Sequence, residues 1–449
     1  MKDNSDFAKV LRSRDVLALS FGAMIGWSWV LLTGVWLTNA GTLGTLIAFA
    51  VGGLAITLIG LTYSELAAAM PKAGGEHIYT HRALGPKWSF VCTWALLFSY
   101  LNVCMYESVA LPTAVEYLLP QIRLGTLWNV LGADVDLGFV LIGSLGAFVM
   151  SLVNYFGIRT AAFLQSLVTG LILFAGVLLI SGAAFNGDAG NATPWIATPT
   201  TGILAVLIMV PAMLVGFDVI PQSAEEIDLT PNRIGRLLVI SVCLAVAWYV
   251  LITAAVGFAI PASALGTSQM ATADAATRLW GTSAAGTILV LGGIGGILTS
   301  WNAFIVGASR VLYALAKSGF IPAAFARLHP KYKTPYVGII AIGVVSMIAP
   351  LFGRTILVWL VNSGSFAVTI AFLFVAVSFL VLRQTEPDME RPFRISHPNL
   401  VGYGAIILTL GLLSAFLPWS DSALAWPNEW FTIIVWTVLG ALILWRSKQ

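Results

Sequence analysis

The chain has 449 residues, 58% of them hydrophobic and only 10% charged, with a formal net charge of +3. An ordinary soluble domain carries about 25% charged residues, so the composition excludes one. Three cysteines in a chain of this length exclude a disulfide-stapled secreted scaffold.

A membrane-crossing helix needs about 20 mainly apolar residues. Twelve candidate spans follow in chain order: 16–39, 44–69, 88–118, 137–156, 160–184, 201–222, 236–259, 285–316, 335–352, 355–382, 400–418 and 427–445. The charged start, with no small-residue cleavage site after the first apolar run, reads as a retained helix and not as a signal peptide. Gly22 and Gly26 interrupt the first span, and Pro211 and Gly216 interrupt the sixth. Glycine and proline in mid-span leave backbone carbonyls and amides without helical partners, which lipid cannot satisfy, so each break is expected to line a cavity or ligand site. Broken first and sixth helices point to a transporter built from two five-helix halves. Five is odd, so the halves enter from opposite sides and are inverted relative to each other. The fold class expected is therefore an all-α polytopic membrane protein of twelve transmembrane helices: a five-plus-five inverted repeat with broken helices 1 and 6, plus two appended helices. Its parts are a cytoplasmic N-terminus (1–14), repeats at 15–186 and 201–383, and the appended pair at 400–446. The polar connections, among them 119–136 and 261–283, are loop sized with room for a short surface helix.

Cytoplasmic loops carry an excess of Lys and Arg. With both termini inside and twelve crossings, only Arg123, Arg278 and Arg354 fall outside, Arg310 sits within the eighth span, and the other 19 of 23 basic residues fall inside. The net charge thus reports topology in a cell membrane and no nucleic-acid partner. Cys92, Cys104 and Cys243 lie inside predicted helices and read as small core residues. Asn191 to Thr193 forms a glycosylation sequon on a predicted outer loop, of consequence only in a eukaryotic secretory cell.

Three segments on the cytoplasmic side share a pattern. The first runs from Glu65 through Pro71, Gly74, Gly75, Glu76 and Tyr79 to Gly85. The second holds Gly216, Asp218, Glu225, Glu226, Pro231 and Arg233. The third holds Arg310, Tyr313, Lys317, Gly319 and Pro322, then Thr334 and Pro335. Each alone is also ordinary helix termination, but in this order and spacing the chain resembles the amino acid-polyamine-organocation superfamily of permeases. Glu65, Glu225, Glu226, Arg310 and Lys317 are read as structural ion-pairing groups near the inner surface.

The resemblance implies roles at the breaks. The amides of Trp27 and Ser28, after Gly26, would face a substrate carboxylate, and the carbonyls of Met24, Pro211 and Ala212 its ammonium group. Asn102, Met105 and Phe217 would supply selectivity. Family members commonly have Gly, a small residue and Gly where this chain has Gly26, Trp27 and Ser28, so an α-amino acid and an amine or polyamine without a carboxylate both stay open; the Trp27 side chain is equally readable as packing against lipid or a neighbouring helix. Asp218 would lie beneath the substrate, in gating or proton coupling, or else cap the unwound helix. Glu107, on a different helical stripe from Asn102 and Met105, is the other deep carboxylate and a candidate for a cation or a proton, since a charge in mid-membrane is costly enough to need a function or a partner. Sodium-coupled relatives hold an ion between helices 1 and 8 at positions that correspond here to Gly22, Ile25, Gly296, Thr299 and Ser300. Proton-coupled members often place a lysine in helix 5 instead, and Thr160 to Phe185 contains no Lys or Arg. Na+ and H+ are thus the candidate coupling ions, with no other cofactor expected.

The function expected is secondary active transport of an amino acid or related organic amine, by symport or as a substrate/product exchanger. A membrane-embedded enzyme would need an acid-base group near the deep carboxylates, yet His77, His81, His329 and His397 all lie in loops. A channel gives no reason for inverted broken helices. No phosphate-binding glycine loop supports an ATP-driven pump. Oligomeric state is not legible.

Overall fold

The computed structural model describes residue 7 and residues 9–268 and 270–447; residues 1–6 and 8 of the expected N-terminal segment lie outside the described residues. The helices are α1 (Ser13–Met24), α2 (Ser28–Leu31), α3 (Thr33–Ala69), α4 (Glu76–Leu84), α5 (Pro86–Leu118), α6 (Leu137–Tyr155), α7 (Ile158–Asn186), α8 (Thr201–Leu207), α9 (Val210–Leu214), α10 (Val219–Gln222), α11 (Pro231–Ala259), α12 (Ala262–Leu265), α13 (Ala271–Trp280), α14 (Ser283–Lys317), α15 (Tyr336–Ile348), α16 (Ile356–Thr385), α17 (Pro398–Ala415) and α18 (Asn428–Arg446). Among the described residues, ten helical stretches are long and apolar enough to cross a membrane, and the segment Tyr336–Phe352 is a shorter apolar helix.

Helix α3 is one stretch only by its hydrogen bonds. Gly41 has φ +73° and ψ 174°, outside helical geometry. Thr45 Oγ1 donates to the Trp36 carbonyl at 3.0 Å, and the Trp36 and Phe49 rings lie 5.0 Å apart. In a straight helix nine residues span about 13 Å, so the chain turns back at Gly41. A methyl group at Gly41 would also lie 2.7 Å from the Trp195 carbonyl oxygen, which leaves glycine the one residue that fits the turn.

The expectation of an all-α protein needs one correction. The connection after α5 forms a β-hairpin, β1 (Thr126–Val130) paired antiparallel with β2 (Ala133–Asp136). Leu131 and Gly132 both have positive φ, at 51° and 89°, the pattern of a two-residue type I′ turn. The Asn129 side chain accepts from the Gly132 amide at 2.8 Å. Leucine at the first turn position carries no hairpin signal in the sequence. Within the loop 261–283, α12 is the expected short surface helix, whereas α13 packs inward against α7, α11 and α14, with Thr272 donating to the Trp29 and Val30 carbonyls. Cys92 and Cys104 are buried, but Cys243 is exposed on α11, so it is not a core residue.

α14 packs against α1, α5, α7, α13 and α15 and is the most enclosed of the long helices, with 78% of its most apolar window buried against 11% for α18 at the periphery. α3 packs on α11, and α16 on α5. α1 and α14 therefore meet in the interior, where the functional residues cluster.

Candidate functional site

The first break spans Ile25 to Trp27, between α1 and α2. Ile25 has φ −102° and ψ 54°, which ends the helix. Side chains from two other helices press on the opened backbone: a methyl group at Gly26 would lie 2.5 Å from Glu107 Oε1 and 3.0 Å from Ser300 Oγ. Tyr249, on α11, closes another side. Its hydroxyl donates to the Met24 carbonyl at 2.8 Å, and since that uses its only proton, the Ser28 hydroxyl 2.8 Å away donates to it in turn. The Trp27 ring is fully buried, and it lies over Gly293 of α14, where a methyl group would overlap it. It faces a neighbouring helix and not lipid.

Of the oxygens expected to form an ion site, those of Gly22, Gly296 and Thr299 come together, while Ser300 Oγ lies beside Gly26. Thr299 Oγ1 is 3.1 Å from the carbonyl oxygens of Gly22, Gly295 and Gly296. A methyl group at Gly296 would lie 2.5 Å from the Gly26 carbonyl oxygen and 2.8 Å from that of Ile25, so α14 sits directly on the break. Gly22 itself is helical, inside α1. Gln165 of α7 occupies the side where a helix-5 cation would reach: its Nε2 donates to the Ala18 carbonyl at 3.0 Å, and its Oε1 accepts from Asn302 Nδ2 at 2.8 Å. Asn302 Oδ1 accepts from Asn154 at 2.9 Å. A neutral amide relay thus joins α6, α7, α14 and α1. Gln165 is marked in the sequence only as a lone glutamine in an apolar run.

The second break lies later than Pro211 suggested. Pro211 sits in the first turn of α9, where its missing N–H costs nothing. Unwinding begins at Val215, with ψ 144°, and passes through Gly216, with φ +131°. A methyl group at Gly216 would lie 2.6 Å from Ala23 Cβ and 3.0 Å from the Met24 nitrogen, so the two breaks touch. Asp218 follows, bridging them to α5: its Oδ1 accepts from the Gly216 amide and its Oδ2 from the Tyr100 hydroxyl, both at 2.7 Å. Above Pro211, Ser365 of α16 inserts into the helical ladder, accepting from the Ala212 amide at 3.2 Å and donating to the Ile208 carbonyl at 2.6 Å.

Beside the first break, bounded on another side by Ala212 and Met213 of α9, lies a cavity of about 30 Å³, room for one or two waters. Its wall includes Met24, Gly26, Ser28, Asn102, Glu107, Ala212 and Ser300 from the expected set. Trp27, Met105, Pro211, Phe217 and Asp218 are not among the lining residues. Phe217 turns away to stack on Phe372 at 5.4 Å, with Tyr63 at its edge. The α5 face presented is Ser99, Asn102, Val103, Tyr106 and Glu107, at helical spacing, so Asn102 and Glu107 share the wall and Met105 rotates out of it.

The two ends of the molecule differ. On the side of α4, Arg310 and Glu226 form a buried two-point ion pair at 2.8 and 3.0 Å, and the Val10 and Leu11 amides bond the Glu226 carbonyl, both at 2.9 Å. Glu65 pairs with Arg383 and Arg391. Glu76 accepts from Gln222, and burial, reinforced by nearby Asp218, holds its carboxyl well above the usual range. Burial lowers His77 to about 4, so it is neutral between Thr93, Ser89 and Ser318. At the hairpin end, a vestibule of about 700 Å³ opens among Leu31, Glu116, Tyr117, Arg123, Met270, Arg354 and Leu357, where Glu116 pairs with both Arg123 and Arg354.

Residues 11–439 match the family model described as amino acid permease. The chain is 27% identical over 443 residues to the branched-chain amino acid permease BcaP of Bacillus subtilis, covering 96% of this chain and 90% of that one. It is 23% identical to the methylthioribose transporter of the same organism, covering 98% and 93%. To cationic amino acid transporter 4 of Mus musculus it is 29% identical over 392 residues, covering 84% of this chain and 60% of that longer protein.

Proposed function

The chain belongs to the amino acid permease family, and we propose that it is a secondary transporter moving an amino acid or related organic amine across a membrane by alternating access. The observation that carries this reading is the contact of the second break with the end of α1 beside a cavity that the first break lines. Unwound backbone at membrane depth is tolerated where it lines a site, and paired broken helices are the usual place for substrate. The methylthioribose transporter's name is that of a cargo other than an amino acid, so family membership leaves both classes open here.

The membrane count is read as twelve crossings, with the turn at Gly41 dividing the first from the second and Tyr336–Phe352 counted as one. The repeats are 15–186 and 201–383, inverted, with 400–446 appended and both termini on the α4 side. Buried ion pairs at that end and the vestibule at the other favour an outward-facing state closed around its centre. For coupling, the neutral oxygens around Thr299 suit a monovalent cation such as Na+, while Asp218 is the candidate proton carrier.

Counterflow into liposomes holding the purified full chain tests the reading. Labelled amino acids and amines are offered against each unlabelled compound, with sodium and pH varied separately. Saturable exchange of at least one compound is expected, and a Thr299→Ala variant that needs more sodium for the same rate would identify the ion. Exchange of none, by protein that is folded, would overturn the proposal.

A further inference from the structure

We propose that Glu107 is the built-in carboxylate of this site: it stands against the first break where a substrate carboxylate would otherwise sit and turns an unpartnered oxygen to a substrate ammonium. The ligand is then a primary amine with a small apolar chain and no α-carboxylate. This rests on the transporter reading above and narrows its substrate.

Glu107 is 1% exposed. Its carboxylate lies against the first break, facing the Ser300 side chain and the Trp27 backbone, and a methyl group at Gly26 would meet its Oε1 at 2.5 Å. The other oxygen, Oε2, is buried without a hydrogen-bond partner among the described residues, as are Ser99 Oγ and Tyr106 Oη on the same helix face. No Lys, Arg or His is among the residues lining the cavity. A buried anion without a counter-ion is strongly disfavoured, and an ammonium group supplies both the charge and the donors it lacks.

The remaining polar groups argue the same way. Tyr249 already donates to the Met24 carbonyl, so the acceptor assigned to the ammonium by resemblance is shared, and Glu107 is the stronger acceptor beside it. A zwitterion would bring a second carboxylate into a small, desolvated space already holding one, which like charges oppose. Asn102 and Ser28, also in the wall, bond Ser363 and Tyr249, and Ala23, Met213, Phe304, Leu360 and Val361 form an apolar part that suits a hydrocarbon chain.

The test uses matched pairs: leucine and isoamylamine, phenylalanine and phenethylamine, methionine and 3-methylthiopropylamine. Affinities come from the ligand-induced rise in melting temperature of the purified full chain, with wild-type liposome counterflow of both members of each pair alongside. In wild type, the amine of at least one pair binds about tenfold or more tightly than its amino acid. Glu107→Gln, which keeps the shape and removes the like charge, weakens that amine about tenfold and binds the amino acid at least as tightly as wild type; Glu107→Ala, which opens the space beside Gly26, reverses the preference. Wild-type protein that binds the amino acid as well as its amine in every pair, or a Glu107→Gln variant within about twofold of wild type for the amine, overturns the proposal. If Glu107→Ala does not fold, the wild-type and Glu107→Gln comparison decides alone. Counterflow of neither member of any pair overturns the transporter reading itself, whereas preferred exchange of the amino acid overturns only the choice of substrate.

Discussion

The two breaks are built from the same device and do different work. At the first, the chain opens between Met24 and Ser28 and is met by side chains on three sides, Glu107, Ser300 and Tyr249, so its exposed backbone becomes a wall of the cavity. At the second, the opened chain is tied down: Ser365 spans the ladder above Pro211, and Asp218 binds the Gly216 amide and Tyr100 below it. In the proposed reading the first break faces the ligand, and the second holds a joint. An unwound segment is therefore not by itself a binding site; what matters is whether it lines a cavity, as the first break does and the second does not.

The largest effect that would break this contrast is at the contact itself. Gly216→Ala places a methyl group against Ala23 on backbone of left-handed φ, and a loss of about 3 kcal/mol in stability is expected, read as a large fall in melting temperature with transport lost. A variant as stable as wild type would show that the breaks do not need to touch. Next comes Asp218→Asn. If the second break couples movement to a proton, net uptake falls about tenfold or more while substrate binding is retained. Equal loss of both would make Asp218 a ligand-site residue and remove the contrast. Smaller still is Ser365→Ala, which strips the Ala212 amide and the Ile208 carbonyl of their partner and should cost about 1–2 kcal/mol, seen in thermal unfolding, with substrate affinity little changed.

Much of the fold was legible because membrane spans are a matter of length and hydropathy, and the breaks because glycine and proline in mid-span have few innocent explanations. The hairpin at Thr126–Asp136 was not, because its turn puts Leu131 at positive φ against its intrinsic preference. Pro211 pointed to the right helix and the wrong turn of it, since a proline in the first turn of a helix is compatible with helix. The α5 face is a question of phase: each residue rotates the helix by about 100°, and only the neighbouring helices decide that Tyr106 and Glu107 turn inward while Met105 does not. Tyr249 and Ser365 act through partners more than 140 residues away in sequence and nothing in their local pattern marks them, whereas Gln165, bonded to Ala18, is marked only by its polarity in an apolar run. Trp27, which looks bulky for the nest by sequence, is accommodated by the missing side chain at Gly293.

The central claim is that the cavity at the first break is where substrate sits. Its most direct test is substrate binding by Gly26→Ala, measured on folded protein beside a Gly440→Ala control, whose added methyl meets Trp94 far from the breaks. The account predicts that Gly26→Ala loses binding of every compound that wild type exchanges, because the methyl displaces Glu107 and Ser300, while Gly440→Ala keeps it. Folded Gly26→Ala protein that binds those compounds as wild type does would contradict it.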